Sequence, residues 1–154
     1  MRKTAVLALA LALVLACAAG ASASDFSIGA EYMFYTTGLS HNALLSLRAW
    51  PAPFQLGVGA TFGSAPSFSI TGDWWLKAGG IPGSPLGYYV ALGGFVTLPD
   101  INFGARLPLG LQVWLLGNLL ELFIEAVPYA GLHIIPSTTG IYGVGLGAGF
   151  RFWL

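Results

Sequence analysis

The acidic and basic side chains are the groups in this chain whose types and spacing bear most directly on chemistry. The 154 residues include only 6 Lys and Arg, 6 Asp and Glu, 2 His and 1 Cys. A carboxylate such as Glu31 or Glu125 beside a base would suit general acid–base catalysis. A carboxylate that faces an arginine instead stays ionised, which suits a structural role better than proton transfer. The elements that carry these groups therefore decide between the two interpretations.

Other reactive residue types lack the partners that catalysis or metal binding requires. His41 falls in a predicted loop and His133 near a strand end, and neither has a second ligand at metal-binding spacing. The serines in the predicted strands have no Gly-x-Ser-x-Gly elbow around them; they are Ser27, Ser46, Ser67 and Ser69. The glycines from Gly143 to Gly149 alternate with bulky residues, which favours a strand with small inward positions over a phosphate loop. We expect no catalytic residue, cofactor or metal.

The composition is that of a membrane protein. Charged residues make up 8% and hydrophobic residues 56% of the chain, whereas about 25% of residues are charged in soluble domains. The formal net charge is zero, so no basic surface is available to bind nucleic acid. The 22 glycines and 9 prolines argue against a helical protein.

The first residues resemble a targeting segment. Met1-Arg2-Lys3 is a short positive start, residues 5–16 are an unbroken apolar run, and Ala21-Ser22-Ala23 offers the small residues that a signal peptidase reads. We predict a signal peptide over residues 1–23 and a single domain over residues 24–154. A retained anchor, or a lipidated Cys17, is the alternative.

Residues 24–154 alternate between apolar and polar positions with a period of two, which is typical of strands. The candidate helices are short and broken by Gly and Pro, so the spanning structure left is a closed barrel. We predict an all-β fold, an eight-stranded antiparallel up-and-down transmembrane β-barrel. Its strands are predicted at 26–35, 43–50, 54–63, 67–77, 86–97, 102–114, 121–133 and 142–154.

The charged residues of these strands lie on one face. Of ten charged residues in 24–154, seven fall mid-strand on the face opposite the apolar one. An Arg or Lys facing lipid at mid-depth would cost about 2–4 kcal/mol, so these residues should point into the lumen. The predicted lumen charges are Glu31, Arg48, Asp73, Lys77, Arg106, Glu125 and Arg151.

Symmetrical hairpins predict which lumen charges meet. Folding about residues 37–42 places Glu31 opposite Arg48, and folding about Thr138 places Glu125 opposite Arg151. Asp73 lies four residues from Lys77 and within reach of Arg106. Because the interior of eight strands is just wide enough for side chains, we expect a plugged lumen. Its large inward residues are predicted to be Met33, Trp50, Trp75, Tyr89, Phe95, Phe123 and Trp153.

The domain resembles the small eight-stranded outer-membrane barrels of the OmpA and OmpX type. Its C-terminal residues Phe150, Phe152, Trp153 and Leu154 resemble the signal read by the barrel-assembly machinery, although the family usually ends in an aromatic residue. Segments 104–111, 120–128 and 147–154 are similar to uncharacterised small barrels, including spirochaetal ones. The resemblance implies outer-membrane lipid and the assembly machinery as partners, in the outer membrane of a diderm bacterium.

These observations favour a non-enzymatic, monomeric outer-membrane barrel with a structural or surface-interaction role. Three alternatives remain open from the sequence. One is a narrow pore for small solutes, and another is a lipid-modifying enzyme, although no lipid A-modifying motif surrounds His41 or His133. The third is a periplasmic lipid-binding barrel, which would place its apolar face inside.

Overall fold

A computed structural model describes residues 26–37, 39–61, 66–134 and 137–154. The predicted signal peptide over residues 1–23, Cys17 and Asp25 lie outside the described residues. Within the described ranges, no helix has both the length and the hydrophobicity needed to cross a membrane.

The alternating segments form nine strand segments in chain order. They are β1 (Phe26–Tyr35), β2 (Asn42–Ala49), β3 (Phe54–Ala60), β4 (Phe68–Gly80), β5 (Leu86–Leu98), β6 (Asn102–Arg106), β7 (Leu109–Leu115), β8 (Leu120–His133) and β9 (Thr139–Trp153). Each bound lies within a few residues of its sequence prediction. The turns between the strands contain the Pro and Gly residues that favour them.

β6 and β7 are two parts of one crossing strand, interrupted at Leu107 and Pro108. Both parts pair with β5 and with β8, and the register runs on without a shift from Arg106↔Tyr129 to Leu109↔Ala126. Pro108 has no N–H to give to the ladder, but its carbonyl accepts a 2.9 Å bond from the Ala91 amide. The barrel therefore has eight strands, as predicted.

The barrel closes through the first and last strands. Each strand pairs antiparallel with its neighbours in the chain, and β1 pairs with β9 from Ser27↔Trp153 to Tyr35↔Gly145. No described strand is left as an open edge of the sheet. Closure satisfies the backbone hydrogen bonds that a bilayer could not satisfy.

Alternation along each strand separates exposed apolar side chains from buried inward side chains. In β1, Met33 is fully buried, whereas its neighbours Tyr32 and Phe34 are 55% and 46% exposed. The same pattern holds in β8, where Phe123 is buried and Ile124 is 58% exposed. The interior holds two apolar clusters, one around Met33 and Tyr129 and one around Trp75 and Tyr89.

One sequence prediction about the large inward residues needs correction. Trp50 was predicted inward but lies in the turn after β2 and is 56% exposed, because β2 ends one residue earlier, at Ala49. The other large residues predicted inward are buried or half-buried; they are Met33, Trp75, Tyr89, Phe95, Phe123 and Trp153.

Inward glycines leave room for these large side chains. A Cβ at Gly110 would overlap the ring of Tyr89, which stacks on Trp75 with ring centroids 4.1 Å apart. Along β9, Gly145 would meet Met33 and Gly149 would meet Phe123. The prediction that the β9 glycines are small inward positions is confirmed.

We expect Gly110→Val to lower the free energy of unfolding by about 1–3 kcal/mol, because Tyr89 must leave its stacked position. Urea unfolding in detergent micelles measures the change. Gly140→Val is the matched control, since a Cβ at Gly140 meets nothing within 4 Å. Equal losses in both variants would show that Gly110 makes no room for Tyr89.

Candidate functional site: the polar lumen

The lumen collects most of the charged side chains that the described strands carry. Six of the seven residues predicted there are at most 5% exposed, and Glu121 joins them at 0%. Four carboxylates thus share the interior with three guanidiniums. The buried charged residues are Glu31, Arg48, Asp73, Arg106, Glu121, Glu125 and Arg151.

Lys77 does not lie in the lumen, and its predicted place there is wrong. A register shift between Trp75 and Lys77 pairs Lys77 with Val90, whose two neighbours in β5 are buried. The extra residue of such a bulge breaks the alternation. Lys77 is consequently exposed near the end of β4, and its predicted pairing with Asp73 is not among the ion pairs of the described residues.

Both predicted hairpin pairings of opposite charges are also wrong. Glu31 lies opposite Leu44, and Arg48 lies opposite Ser27, four residues along β1. In the last hairpin, Arg151 lies opposite Glu121, four residues from the predicted partner. A displacement of four residues leaves each side chain on its predicted face but changes its partner.

Arg106 is at the centre of the first charge cluster, which lies midway along the barrel. Its Nε is 3.0 Å from Asp73 Oδ1, and its Nη2 donates a 3.0 Å hydrogen bond to Glu125 Oε1. Arg106 and Asp73 were predicted to meet across the lumen, and this contact is present. Tyr89 Oη donates a 2.6 Å hydrogen bond to the other oxygen of Glu125. One guanidinium thus binds two carboxylates.

Glu31 belongs to the same level of the barrel. A Cβ built on Gly147 would lie 3.2 Å from Glu31 Oε1 and 2.8 Å from Glu125 Cγ. The two carboxylate side chains therefore pack over the bare backbone of Gly147, which lies directly opposite Glu125 in the ladder. With Asp73, this level holds three carboxylates around Arg106.

Glu121 is at the centre of the second cluster. It lies four residues before Glu125 in β8, nearer the end of the barrel where the described chain begins and ends. Arg151 Nη1 donates a 2.8 Å hydrogen bond to Glu121 Oε1, and Trp153 Nε1 donates a 2.9 Å bond to Oε2. Arg151 Nε also donates to Ser46 Oγ at 2.9 Å. Arg48 Nη1 lies farther from Glu121 Oε1, at 3.9 Å.

Sequence reasoning treated Glu121 as a strand-end residue, although the signal for its role was present. Glu121, Phe123 and Glu125 have the same parity in β8, and all three are buried. Alternation alone would therefore have placed Glu121 in the lumen. β8 begins at Leu120, one residue before the predicted strand, so that Glu121 is a full member of the ladder.

Aromatic rings separate and cover the two clusters. The guanidinium carbon of Arg48 lies 3.4 Å from the centre of the Trp75 ring, and that of Arg151 lies 3.9 Å from the Phe123 ring. Trp75 stacks in turn on Tyr89. Cation–π contacts of desolvated arginines stabilise by about 2 kcal/mol, so these rings help to stabilise the buried arginines.

The remaining candidates for chemistry are held by separate partners. The Tyr35 amide donates to His41 Nδ1 at 3.1 Å, while His133 Nδ1 lies 2.8 Å from Asn102 Oδ1. Glu125 is occupied by Arg106 and Tyr89. In the described part of the chain, no three His, Cys, Asp or Glu side chains form a group that could hold a metal ion. Within the described residues, the lumen carboxylates Asp73, Glu121 and Glu125 are thus paired with arginines.

Glu121→Gln should lower the free energy of unfolding by about 3–5 kcal/mol, because it leaves Arg151 buried without its counter-charge. The exposed Asp100 provides the control substitution, Asp100→Asn, with an expected change within about 0.5 kcal/mol.

The register makes a further prediction about coupling between charges. A double-mutant cycle of Glu121→Gln and Arg151→Met should show a coupling energy of about 0.5–3 kcal/mol. The cycle of Glu31→Gln and Arg48→Met should be additive, since about 13 Å of strand separates their levels. Strong coupling only in the second cycle would contradict the observed register.

No protein-family model and no curated protein sequence matches this chain. Among solved structures, it is similar to the N-terminal β-barrel domain of OprF from Pseudomonas aeruginosa. The two chains share 19% sequence identity with a TM-score of 0.48, over 84% of this chain and 98% of that domain. The strand pairing of the chain itself confirms the predicted fold, a closed eight-stranded antiparallel β-barrel.

Proposed function

We propose that this chain is an integral outer-membrane β-barrel with a structural or surface-interaction role and no enzymatic activity. The observation that carries the proposal is the distribution of side chains in the described barrel. Charges are buried inside, whereas large apolar side chains such as Leu92, Ile124 and Leu146 are more than half exposed outside. A wall of this kind requires hydrocarbon around it, since water would be in contact with a continuous apolar surface.

The dimensions of the strands support a membrane-spanning barrel. β5 has 13 residues, which extend about 43 Å at roughly 3.3 Å per residue. At a tilt near 45°, such a strand crosses roughly 30 Å, the thickness of the hydrocarbon core. An even number of antiparallel strands together with an outward-facing apolar band is typical of bacterial outer-membrane barrels, and we infer this location for the chain.

The packing of the lumen supports a structural role better than conduction. Met33, Tyr89 and Arg151 are at most 1% exposed although they point toward the barrel axis. An eight-stranded barrel has room for side chains and little else. We infer that the lumen is closed by its own side chains, and that the barrel acts as a monomer in outer-membrane lipid.

The last residues of β9 support a role in assembly. Phe150 and Phe152 are each 41% exposed on the outer wall, and Leu154 is 59% exposed, whereas Trp153 is half-buried and bonded to Glu121. The outer three residues form an apolar edge that the barrel-assembly machinery could read. We propose that these residues, with Trp153, are the C-terminal assembly signal.

The distribution of charge argues against the soluble alternative. A periplasmic lipid-binding barrel would keep its apolar face inside and its charges outside. The described residues show the opposite arrangement, which supports the membrane-spanning interpretation over the periplasmic one. The enzymatic alternative also lacks support, because His41, His133 and Glu125 are each held by a different partner.

Leu146→Arg should destabilise the barrel in lipid by about 2–4 kcal/mol, because Leu146 lies in the middle of β9 on the outer wall. Tyr142→Arg, near the start of β9, is the matched control with an expected loss of about 0–1 kcal/mol. Unfolding in phospholipid vesicles measures both. Equal, small losses would mean that the outer wall does not face hydrocarbon.

The whole protein should fractionate with the outer membrane in a sucrose gradient and show heat-modifiable migration in gels. In planar bilayers we expect no steady conductance, because the layers around Arg106 and Arg151 close the lumen. A stable open channel would overturn the structural role in favour of a pore, and recovery in the soluble periplasm would overturn the membrane location.

A further inference from the structure

A cavity lies at the end of the barrel where the described chain begins and ends. It has a volume of about 590 Å³ and lies between the turn after β2, the β4–β5 hairpin and the turn after β7. Small residues line one side, among them Ala78, Gly79 and Gly80. This volume falls within the range of about 300–1,000 Å³ that is typical of small-molecule sites.

Arg48 lies at the inner end of this cavity. It is 5% exposed, and its Nε and Nη1 have no hydrogen-bond partner among the described residues. Its guanidinium lies over the Trp75 ring, with 3.4 Å between the guanidinium carbon and the ring centre. A buried donor without an acceptor is costly, and the cavity is the space from which an acceptor can approach.

The charge balance around Arg48 favours an anion. Glu121 is the carboxylate of this level, and it already binds Arg151 at 2.8 Å and the Trp153 indole at 2.9 Å. Arg48 lies 3.9 Å from it. Two guanidiniums thus share one carboxylate, which leaves about one positive charge beside the cavity.

The aromatic residues that line the cavity favour a ligand with a planar apolar group. Trp50, Trp114 and Trp153 all line the cavity, and the rings of Trp114 and Trp153 lie 5.3 Å apart at 44°. Such rings pack well against planar ligands. Gln112, only 8% exposed, also lines the cavity, and its Oε1 has no partner among the described residues.

We propose that this cavity binds a small aromatic monocarboxylate, with the carboxylate on Arg48 and the ring among the tryptophans. A singly charged group matches the single uncompensated charge. A phosphate monoester would bring a charge of about −1.5 to −2 into the same buried position, which Arg48 alone would not neutralise. The site is independent of the proposed structural role.

Isothermal titration of the whole folded protein in non-ionic micelles tests the site. The probe is 2-naphthoate, and its uncharged analogue 2-naphthamide controls for partition into micelles. We expect 2-naphthoate to bind at least tenfold more tightly. Arg48→Met should reduce this preference to less than twofold and leave the affinity for the amide unchanged. A preference that survives the substitution would overturn the role of Arg48.

A second pair of variants tests the cavity without touching a charged residue. Gly80 lines the cavity and a Cβ there meets nothing within 4 Å, so Gly80→Phe can extend into the space while the barrel stays folded. It should weaken 2-naphthoate at least tenfold. Gly140→Phe has equally open surroundings and lies at the start of β9, and it should bind as the unsubstituted protein does.

Three results would overturn the proposal. The first is equal binding of the acid and the amide, and the second is equal weakening by Gly80→Phe and Gly140→Phe. The third is displacement of 2-naphthoate by phosphatidylglycerol in mixed micelles or by inorganic phosphate, which would assign the site to a lipid headgroup or to free phosphate instead.

Discussion

The ladder between β1 and β9 is the interaction on which the rest of the barrel depends. Once the first and last strands pair, every described strand has two neighbours, and each residue must face either the lumen or the exterior. A shift of the strand register by one residue would turn the side chains of Glu31 and Arg151 to the outside of the barrel. Because a charge in hydrocarbon is costly, only the register that places these charged side chains inside the barrel is stable in the proposed membrane setting.

Closure at eight strands also makes the lumen narrow, so its charges must compensate one another at short range. They do so at two levels, around Arg106 and around Glu121. Burying a charge is costly unless it is paired and hydrogen-bonded. Tyr89, Ser46 and Trp153 supply the additional hydrogen bonds. Aromatic rings between the levels exclude water and keep each set of partners together.

Parity could be predicted from the sequence because it depends on single residues: a buried Glu31 beside an exposed Tyr32 is visible in the pattern itself. The partner of each charged residue could not be predicted in this way, because a register shift of two or four residues leaves every side chain on the same face of the sheet. In both hairpins the observed register differs from the predicted one by four residues, so Arg48 lies opposite Ser27 and Arg151 lies opposite Glu121. Turn geometry and packing select one of these registers. The alternation of apolar and polar residues in the sequence carries no information about either. The bulge that turns Lys77 outward is a local departure of the same kind.

The sequence predictions that failed for Lys77, Arg48 and Arg151 all concern the end of the barrel where the described chain begins and ends. In the proposed membrane orientation, this end of the wall lies outside the hydrocarbon, so that an exposed Lys77 after the bulge costs little. Inside, the same end holds Arg48 and Arg151 with the single carboxylate of Glu121. At mid-barrel, by contrast, Arg106 lies among three carboxylates. Arg106 is thus paired on two sides, whereas Arg48 is buried with its nearest carboxylate oxygen 3.9 Å away. Two guanidiniums with one carboxylate leave an excess of positive charge at this end, beside the cavity that Arg48 lines.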